Sequence, residues 1–455
     1  MTSGPVSIQP DSAVQVAAAL KRASDAQQSI VIRGAGTKDD WGRPAGRIDV
    51  VLDMRRMNRI LAHEHGDMTA TIEAGASLRE VNEALAIHGQ MLPLDPPFAD
   101  RATVGGLLAT NDSGPLRHRY GTPRDLVIGV QVATTDGVLA KAGGQVVKNV
   151  AGYDLSKLVT GSFGSLAAIV SATFKLSPLP AASQTLTMTV ADTTALAEIV
   201  RIVMSSQLEP IAFEVTTRRT TQSPPNSQNK TVSAGSATSA LNVVLRFASL
   251  RVVVDAQIAQ ATAALKACVT SIEAVDGGAE RALWDAHATG IWDQPGTVVR
   301  ASWLPANIAA VVDELAALPP SRFQRSGEPR RSSPEISASG GGKPCATSEP
   351  PAMQGMGPAV SPAAVAQGFS PALIGRAAVG AGLIRIDSDS AGQATAIEQL
   401  RASSVFGNVV IVRGSPELKA RVDVWGPHGS RQPLFDSLKR AFDPHHVLNA
   451  GRGPL

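Results

Sequence analysis

Apolar positions in the first 180 residues follow two periodicities. Five of them between Val14 and Ala23 have roughly helical spacing, and Asp11 or Ser12 can cap the helix that they predict. A second amphipathic helix is predicted to start after Ser77. Alternating or β-branched runs predict strands at 29–33, 68–73, 126–134, 138–142 and 168–176. Since Asp136-Gly137 is a turn signal, two of these strands are expected to form a hairpin.

Beyond residue 180 the pattern changes to helices and strands separated by polar stretches. Strands are predicted at 185–190, 211–216, 240–247, 382–386 and 408–413, and helices at 194–205, 251–268, 391–401 and 434–442. Residues 216–239 and 321–370 are rich in Ser, Pro, Gly, Ala and Thr and lack periodic apolar positions. Such segments bury too little surface to offset the entropy of ordering, so we expect two disordered insertions.

Two glycine segments are candidates for an anion site. The strand run at 29–33 ends at Gly34-Ala35-Gly36-Thr37. Thr103-Val104-Gly105-Gly106 precedes a short apolar run that Thr103 can cap. Backbone amides at such turns and helix starts can point at a diphosphate. A nicotinamide-binding Rossmann unit is the alternative. It is disfavoured because Asp39 stands where a third glycine is due, and Gly42, Pro44 and Gly46 interrupt the required helix.

Four segments, in order, resemble the FAD-binding vanillyl-alcohol oxidase/p-cresol methylhydroxylase superfamily. They are IVIRGAGT (30–37), RATVGGLLATNDSGPLRHRYGT (101–122), KNVAGYDLSKLVTGSFGSLAAIVSATFKLSP (148–178) and FDPHHVLNAGRG (442–453). Within its 2-hydroxy-acid dehydrogenase branch, the chain is most similar to the smaller FAD-binding subunits of bacterial glycolate oxidases. The resemblance implies an α+β fold. Its parts are a two-subdomain FAD-binding domain of the p-cresol methylhydroxylase type at 1–180, an α/β cap domain with the disordered insertions at 181–418, and a C-terminal segment at 419–455 that returns to the first domain.

The resemblance also implies FAD as the cofactor. No histidine or cysteine occurs in the first glycine loop, so the FAD is expected to bind non-covalently. Amides of both loops would hold the diphosphate, and the second segment would line the isoalloxazine. The implied FAD contacts are Arg33, Gly34, Ala35, Gly36, Thr37, Thr103, Val104, Gly105, Gly106, Ala109, Thr110, Ser113, Gly114, Tyr120, Gly121, Gly164, Ile169, Val170 and Asn449.

Composition narrows the classes of partner. The 455 residues include 42 basic and 39 acidic side chains, a formal net charge of +3, so no strong field favours nucleic acid or an anionic membrane. The two cysteines, Cys268 and Cys345, cannot build a disulfide framework, which fits a reducing cytoplasm. No secretory signal is recognised, and no apolar run approaches the roughly 20 residues that span a bilayer. Membrane association is therefore expected only through partners, at the inner membrane.

Catalytic candidates are few. Oxidation of a 2-hydroxy acid needs a cation for the carboxylate and a base for the hydroxyl proton. The larger relatives in this branch carry a histidine-rich cap motif that this sequence lacks, which leaves His287, His428 and Arg452. Arg452 can alternatively cap the carbonyls of the preceding helix. We place His118 in an exposed loop, and His63-Glu64-His65 in a helix-to-strand turn where nothing else converges, so no metal site is expected.

The leading functional hypothesis is the FAD-binding subunit of a glycolate oxidase complex. It would work with a larger flavin-type subunit and an iron–sulfur subunit in oxidising glycolate to glyoxylate, as an electron relay or structural support. The alternatives are a self-sufficient FAD-dependent 2-hydroxy-acid dehydrogenase and a non-catalytic flavin-fold scaffold.

Overall fold

The structure, a computed structural model, describes residues 4–144, 153–218, 241–318, 371–449 and 451–454. Its strands form four sheets within these ranges. A three-stranded and a five-stranded sheet build the N-terminal domain, a two-stranded sheet accompanies them, and an eight-stranded sheet, called the cap sheet below, forms the rest. The mixture of helices and antiparallel and parallel strands confirms the predicted α+β class.

A small parallel sheet opens the N-terminal domain. It contains β1 (Val6–Ile8), β2 (Ile30–Arg33) and β3 (Val50–Asp53) in the order β1-β3-β2. Helix α1 (Ala13–Asp25) begins because the Ser12 side chain accepts the amide of Gln15, and it buries Val16 and Leu20 against this sheet. The packing of α1 on the sheet holds β2 in place. The first glycine loop starts directly after Arg33, the last residue of β2.

A five-stranded antiparallel sheet forms the second subdomain. Its order is β4-β5-β9-β7-β8, with β4 (Ile60–Glu64), β5 (Thr69–Glu73), β7 (Val127–Ala133), β8 (Leu139–Gly143) and β9 (Ala168–Lys175). The helices of this subdomain are α2 (Leu78–Ala86), α3 (Val104–Thr110), α4 (Arg117–Tyr120), α5 (Pro123–Leu126) and α6 (Leu155–Val159). A two-stranded pairing joins β6 (Gln90–Met91) to β10 (Ser177–Pro178).

The cap sheet has eight antiparallel strands in the order β14-β11-β13-β12-β16-β17-β15-β18. They are β11 (Ala182–Val190), β12 (Ala212–Arg218), β13 (Leu241–Ser249), β14 (Ser271–Val275), β15 (Thr297–Trp303), β16 (Pro371–Arg376), β17 (Ala381–Ile386) and β18 (Phe406–Arg413). The remaining helices are α7 (Thr193–Ser205), α8 (Arg251–Leu265), α9 (Gly277–Thr289), α10 (Ile308–Ala317), α11 (Ser390–Ala402), α12 (Pro416–Arg421) and α13 (Gln432–Phe442).

The two faces of the cap sheet differ in polarity because side chains alternate along each strand. One face packs Phe213, Val299 and Ile384 into a core with α7, α8, α10 and α11. The opposite face meets the N-terminal domain, where Trp41 stacks on Trp292 with ring centroids 5.5 Å apart. Charged residues on neighbouring strands also lie on this second face: Arg246, Glu214, Arg376 and Arg300.

Several local predictions need correction. Asp389, rather than Ser390, caps α11. His63 lies within β4 and not in a turn, and His88 comes close to it and to His65, so the premise that nothing converges there is wrong. Both predicted insertions lie outside the described residues, except that 216–218 belongs to β12. No helix in the described part of the chain is long and apolar enough to cross a membrane.

Candidate FAD site

The first glycine loop presents unused backbone donors. It follows β2 directly, and Gly36 has a φ of 76°, which favours glycine. Within the described residues the amides of Gly34 to Thr37 donate no hydrogen bond. Arg33 and Asp39 form an ion pair across the loop. The loop therefore offers the donors that a diphosphate needs.

The second glycine segment differs from the prediction. Thr103 caps α3, but the amides of Val104 and Gly105 donate to the carbonyls of Ala76 (3.0 Å) and Ala74 (2.7 Å). The amide of Gly106 lies 3.4 Å from Oγ1 of Thr103. These donors are already occupied, because the start of α3 packs against the end of β5, so the predicted anion site at this helix start is wrong. Thr103, Gly105 and Gly106 of this segment instead line one wall of the groove described next.

The two segments meet in one groove. A Cβ added at Gly34 would overlap Oγ1 of Thr103, and a Cβ at Gly105 would lie 2.7 Å from Cβ of Ala74. The cavity within the groove has a volume of about 100 Å³. The groove, with free amides of the first glycine loop on one wall, fits a dinucleotide diphosphate.

Most of the sequence-predicted contacts line this groove. Those that do are Arg33, Gly34, Ala35, Gly36, Thr37, Thr103, Gly105, Gly106, Ala109, Thr110, Gly164, Ile169 and Asn449. Val104 and Val170 do not, because their side chains are buried in the apolar cores on either side of the sheet. Tyr120 lines a separate cavity, and Gly121 packs against Asp125.

Ser113 and Gly114 are held by the cap sheet rather than facing the groove. Arg376 donates to the carbonyls of Ser113 (2.9 Å) and Gly114 (3.3 Å), and a Cβ at Gly114 would overlap the Asp95 carbonyl. Gly114 is thus needed for close approach of two main chains and not for approach of a ligand.

Residues of the C-terminal segment form hydrogen bonds with the backbone around the groove. Asn449 Oδ1 accepts the amide of Ile32 at 3.0 Å, and its Nδ2 donates to the Phe163 carbonyl at 2.5 Å. Arg452 lines the groove and donates to the carbonyls of Lys38, Asp39 and Trp41. The alternative that Arg452 caps the preceding helix is therefore wrong.

A cationic pair lies where the groove meets the cap sheet. Lys38, which lines the groove, approaches Asp112 Oδ2 at 3.3 Å, and Arg300 on β15 approaches Asp112 Oδ1 at 3.4 Å. Both cations lie over the Trp41 ring. Burial lowers the pKa of Arg300, and Asp112 opposes that shift. Two cations thus share one carboxylate at this end of the groove. Sequence reasoning missed Arg300 because β15 was not predicted.

The three catalytic candidates lie apart. His287 is buried on α9, with Nε2 3.1 Å from Oε2 of Glu214, which also faces Arg376. His428 packs edge-on against Phe435. Only Arg452 lines the groove. His118 is not the exposed loop residue that we expected, since it packs against Phe213 and burial lowers its pKa.

Comparison with known proteins identifies the N-terminal domain. A family model described as an FAD binding domain matches residues 5–143. The match assigns this N-terminal part of the chain to a family of FAD binding domains. Structurally, it is similar to an alkyldihydroxyacetonephosphate synthase, with a TM-score of 0.63 and 16% sequence identity over 98% of this chain and 76% of that one. At that identity the likeness shows the fold alone.

The names of the sequence relatives are those of glycolate oxidase subunits and a D-lactate dehydrogenase. The chain is 37% identical to glycolate oxidase subunit GlcE of Escherichia coli over 40% of this chain and 51% of the relative. It is 32% identical to glycolate oxidase subunit GlcD of Bacillus subtilis over 46% of this chain and 44% of the relative. D-lactate dehydrogenase [cytochrome] of Arabidopsis thaliana is 37% identical over 38% of this chain and 30% of the relative. The chain thus spans about half, or less, of the length of these relatives.

Proposed function

We propose that this chain binds FAD non-covalently in the groove and acts as the FAD-binding subunit of a glycolate-oxidase-type complex. The observation that carries the proposal is the groove itself, where free amides of the first glycine loop oppose the Thr103 segment and the Lys38–Arg300 pair lies at one end. No histidine, cysteine or tyrosine lines the groove in the described part of the chain, which supports binding without a covalent link.

The residues suggest how a 2-hydroxy acid would be held. FAD, when bound, supplies the acceptor for the two electrons and the hydrogen removed from the carbinol carbon. Arg300 and Lys38 are placed to pair with the substrate carboxylate, and Trp41 supports both cations from one side. The cap sheet would exclude water from this end of the groove, because its apolar residues around Trp292 cover it.

Two observations support a relay or structural role within the complex. No histidine lines the groove among the described residues, and His287 is already bonded to Glu214. This favours electron relay or structural support, with a larger flavin-type subunit oxidising glycolate and an iron–sulfur subunit accepting electrons. The names of the relatives support a glycolate-oxidase complex. The proposal places the protein in the cytoplasm, with contact to the inner membrane only through these partners.

A self-sufficient 2-hydroxy-acid dehydrogenase is the second candidate. The Lys38–Arg300 pair favours it, because a carboxylate site is half of what such an enzyme needs.

Purification of the chain alone and in complex with its two partners separates these options. The visible spectrum reports bound flavin, and glycolate-dependent reduction of a dye reports turnover. We expect flavin in the lone chain and turnover only in the complex. Robust turnover by the lone chain would establish the second candidate instead, and a colourless protein that takes up no added FAD would contradict both.

A further inference from the structure

Three histidines from separate elements meet at one end of the five-stranded sheet. His63 lies on β4, His65 in the turn after it, and His88 just beyond α2. One ring nitrogen of each lies within 4.8 Å of the others. The ring centroids of His65 and His88 are 3.7 Å apart, and those of His63 and His65 are 4.2 Å apart. Residues distant in sequence thus present imidazoles to a common point.

A buried amide fixes the orientation of His63. Nε2 of Gln90 donates to the His65 carbonyl at 2.8 Å, so Oε1 of Gln90 accepts from Nε2 of His63, also at 2.8 Å. The proton of His63 is therefore on Nε2, and Nδ1 carries the lone pair. Metal-binding histidines are usually held in this way, with one ring nitrogen donating to an oxygen and the other free for the metal.

The other two rings have free nitrogens. Within the described residues, His65 and His88 form no side-chain hydrogen bond, and none of the three histidines forms an ion pair. Both rings are exposed, so small side-chain rotations can bring their nitrogens to the distance of about 2.0–2.1 Å from an ion that zinc requires.

The cluster is separate from the FAD groove. His63 pairs with Ala70 on β5, whereas the groove is reached four residues further on, at Ala74. At about 3.3 Å per residue the two sites are roughly 13 Å apart along the strand. Occupation of one site therefore needs no contact with the other.

We propose that His63, His65 and His88 bind one divalent transition-metal ion of borderline softness, with Zn²⁺ as the representative. Three imidazole nitrogens are a ligand set that Zn²⁺, Co²⁺, Ni²⁺ and Cu²⁺ prefer over Mg²⁺ or Ca²⁺. The exposed fourth position is filled by water. The ion joins the turn after β4 to the end of α2, which raises the thermal stability of the N-terminal domain.

Titration of tag-free, flavin-loaded protein tests this site. Calorimetry with Zn²⁺ is expected to give one site per chain, and Co²⁺ is expected to give visible d–d bands. His65→Ala and His88→Ala should each weaken Zn²⁺ binding at least tenfold and abolish the rise in melting temperature. His445→Ala, which removes an exposed histidine elsewhere, should bind Zn²⁺ like the wild type. Flavin content should be equal in all four proteins, which shows that the variants fold.

Two results would overturn the site. One is wild-type protein that shows no one-to-one binding at 100-fold molar excess of Zn²⁺. The other is binding that His65→Ala and His88→Ala leave unchanged while flavin content is normal. Neither result depends on whether the chain oxidises a hydroxy acid.

Discussion

Gly34 is the residue at which the two walls of the groove touch. A methyl group there would overlap Oγ1 of Thr103 and force the first loop away from α3. We expect Gly34→Ala to weaken FAD binding at least tenfold, equivalent to about 1.4 kcal/mol or more. Flavin fluorescence during titration with FAD measures this. Gly46→Ala is the control, because no atom lies within 4 Å of its added Cβ. Equal affinities in the two variants would contradict the assignment of the groove.

Asp95 makes stability depend on pH. Desolvation by burial raises its pKa to about 7, against the lowering effects of the Leu116 amide and Arg376. The folded state therefore retains a proton that the unfolded state releases near pH 4, so this contribution to stability is complete below pH 4 and is lost as pH rises through 7. We expect a decrease of about 2–4 kcal/mol across this window.

Asp95→Asn isolates that effect. Urea unfolding at a series of pH values between 4 and 8 should give a flatter profile for Asp95→Asn than for the wild type. The exposed carboxylate Asp100 provides the comparison, and Asp100→Asn should keep the wild-type slope. An unchanged slope in Asp95→Asn would mean that this carboxyl group does not titrate in the predicted window.

Helix α13 offers an internal comparison of ion pairs at the element scale. Lys439 and Asp443 are spaced i,i+4, 2.6 Å apart, and their side chains are 7% and 0% exposed. Lys439 also donates to the carbonyls of Ser165 and Leu448. Lys21 and Asp25 on α1 have the same spacing but are 53% and 62% exposed.

Removal of the two lysines should have very different effects. Lys439→Met leaves a buried carboxylate without its cation, so we expect the free energy of unfolding to fall by about 3–5 kcal/mol. Lys21→Met should change it by less than about 1 kcal/mol, because exposed pairs contribute little. Denaturant midpoints measure both. Similar losses would show that the C-terminal helix is not anchored by this pair.

Elements with regular patterns could be predicted from the sequence, and others could not. Helix α7 and strands β5, β9 and β18 lie close to their predicted positions because the apolar positions that define their patterns are buried. Strand β15 was missed because Arg300 and Ser302 interrupt its apolar run. Arg300 contacts Asp112 of the N-terminal domain. The occupied amides of α3 were also unpredictable, since their acceptors, Ala74 and Ala76, belong to another element.

At the scale of the whole molecule, Arg300 joins the cap sheet to the groove. We expect Arg300→Met to keep its flavin and to weaken glycolate binding at least tenfold, because Lys38 alone remains to meet the carboxylate. Perturbation of the flavin absorbance during titration with glycolate gives the dissociation constant.

Arg413→Met is the matched control for Arg300→Met. Arg413 lies on the neighbouring strand β18 and also packs over a tryptophan, Trp292, but it donates to the carbonyls of Trp292 and Gln294 instead of meeting Asp112. The assignment of a carboxylate site to this chain would be contradicted if Arg300→Met bound glycolate with wild-type affinity. It would also be contradicted if the wild type gave no spectral response to glycolate.

The sequence by itself determined the fold class, the first glycine loop and most residues of the groove wall. These depend on local chemistry: glycine at a strand end frees backbone amides, and periodic apolar positions bury one face. Tertiary structure decided which amides stay free and that Arg376 donates to the carbonyls of Ser113 and Gly114. It also brought Lys38 and Arg300 to the same carboxylate, Asp112. It placed His88 beside His63 and His65. These contacts join residues far apart in the chain, so only packing of the sheets and helices brings them together.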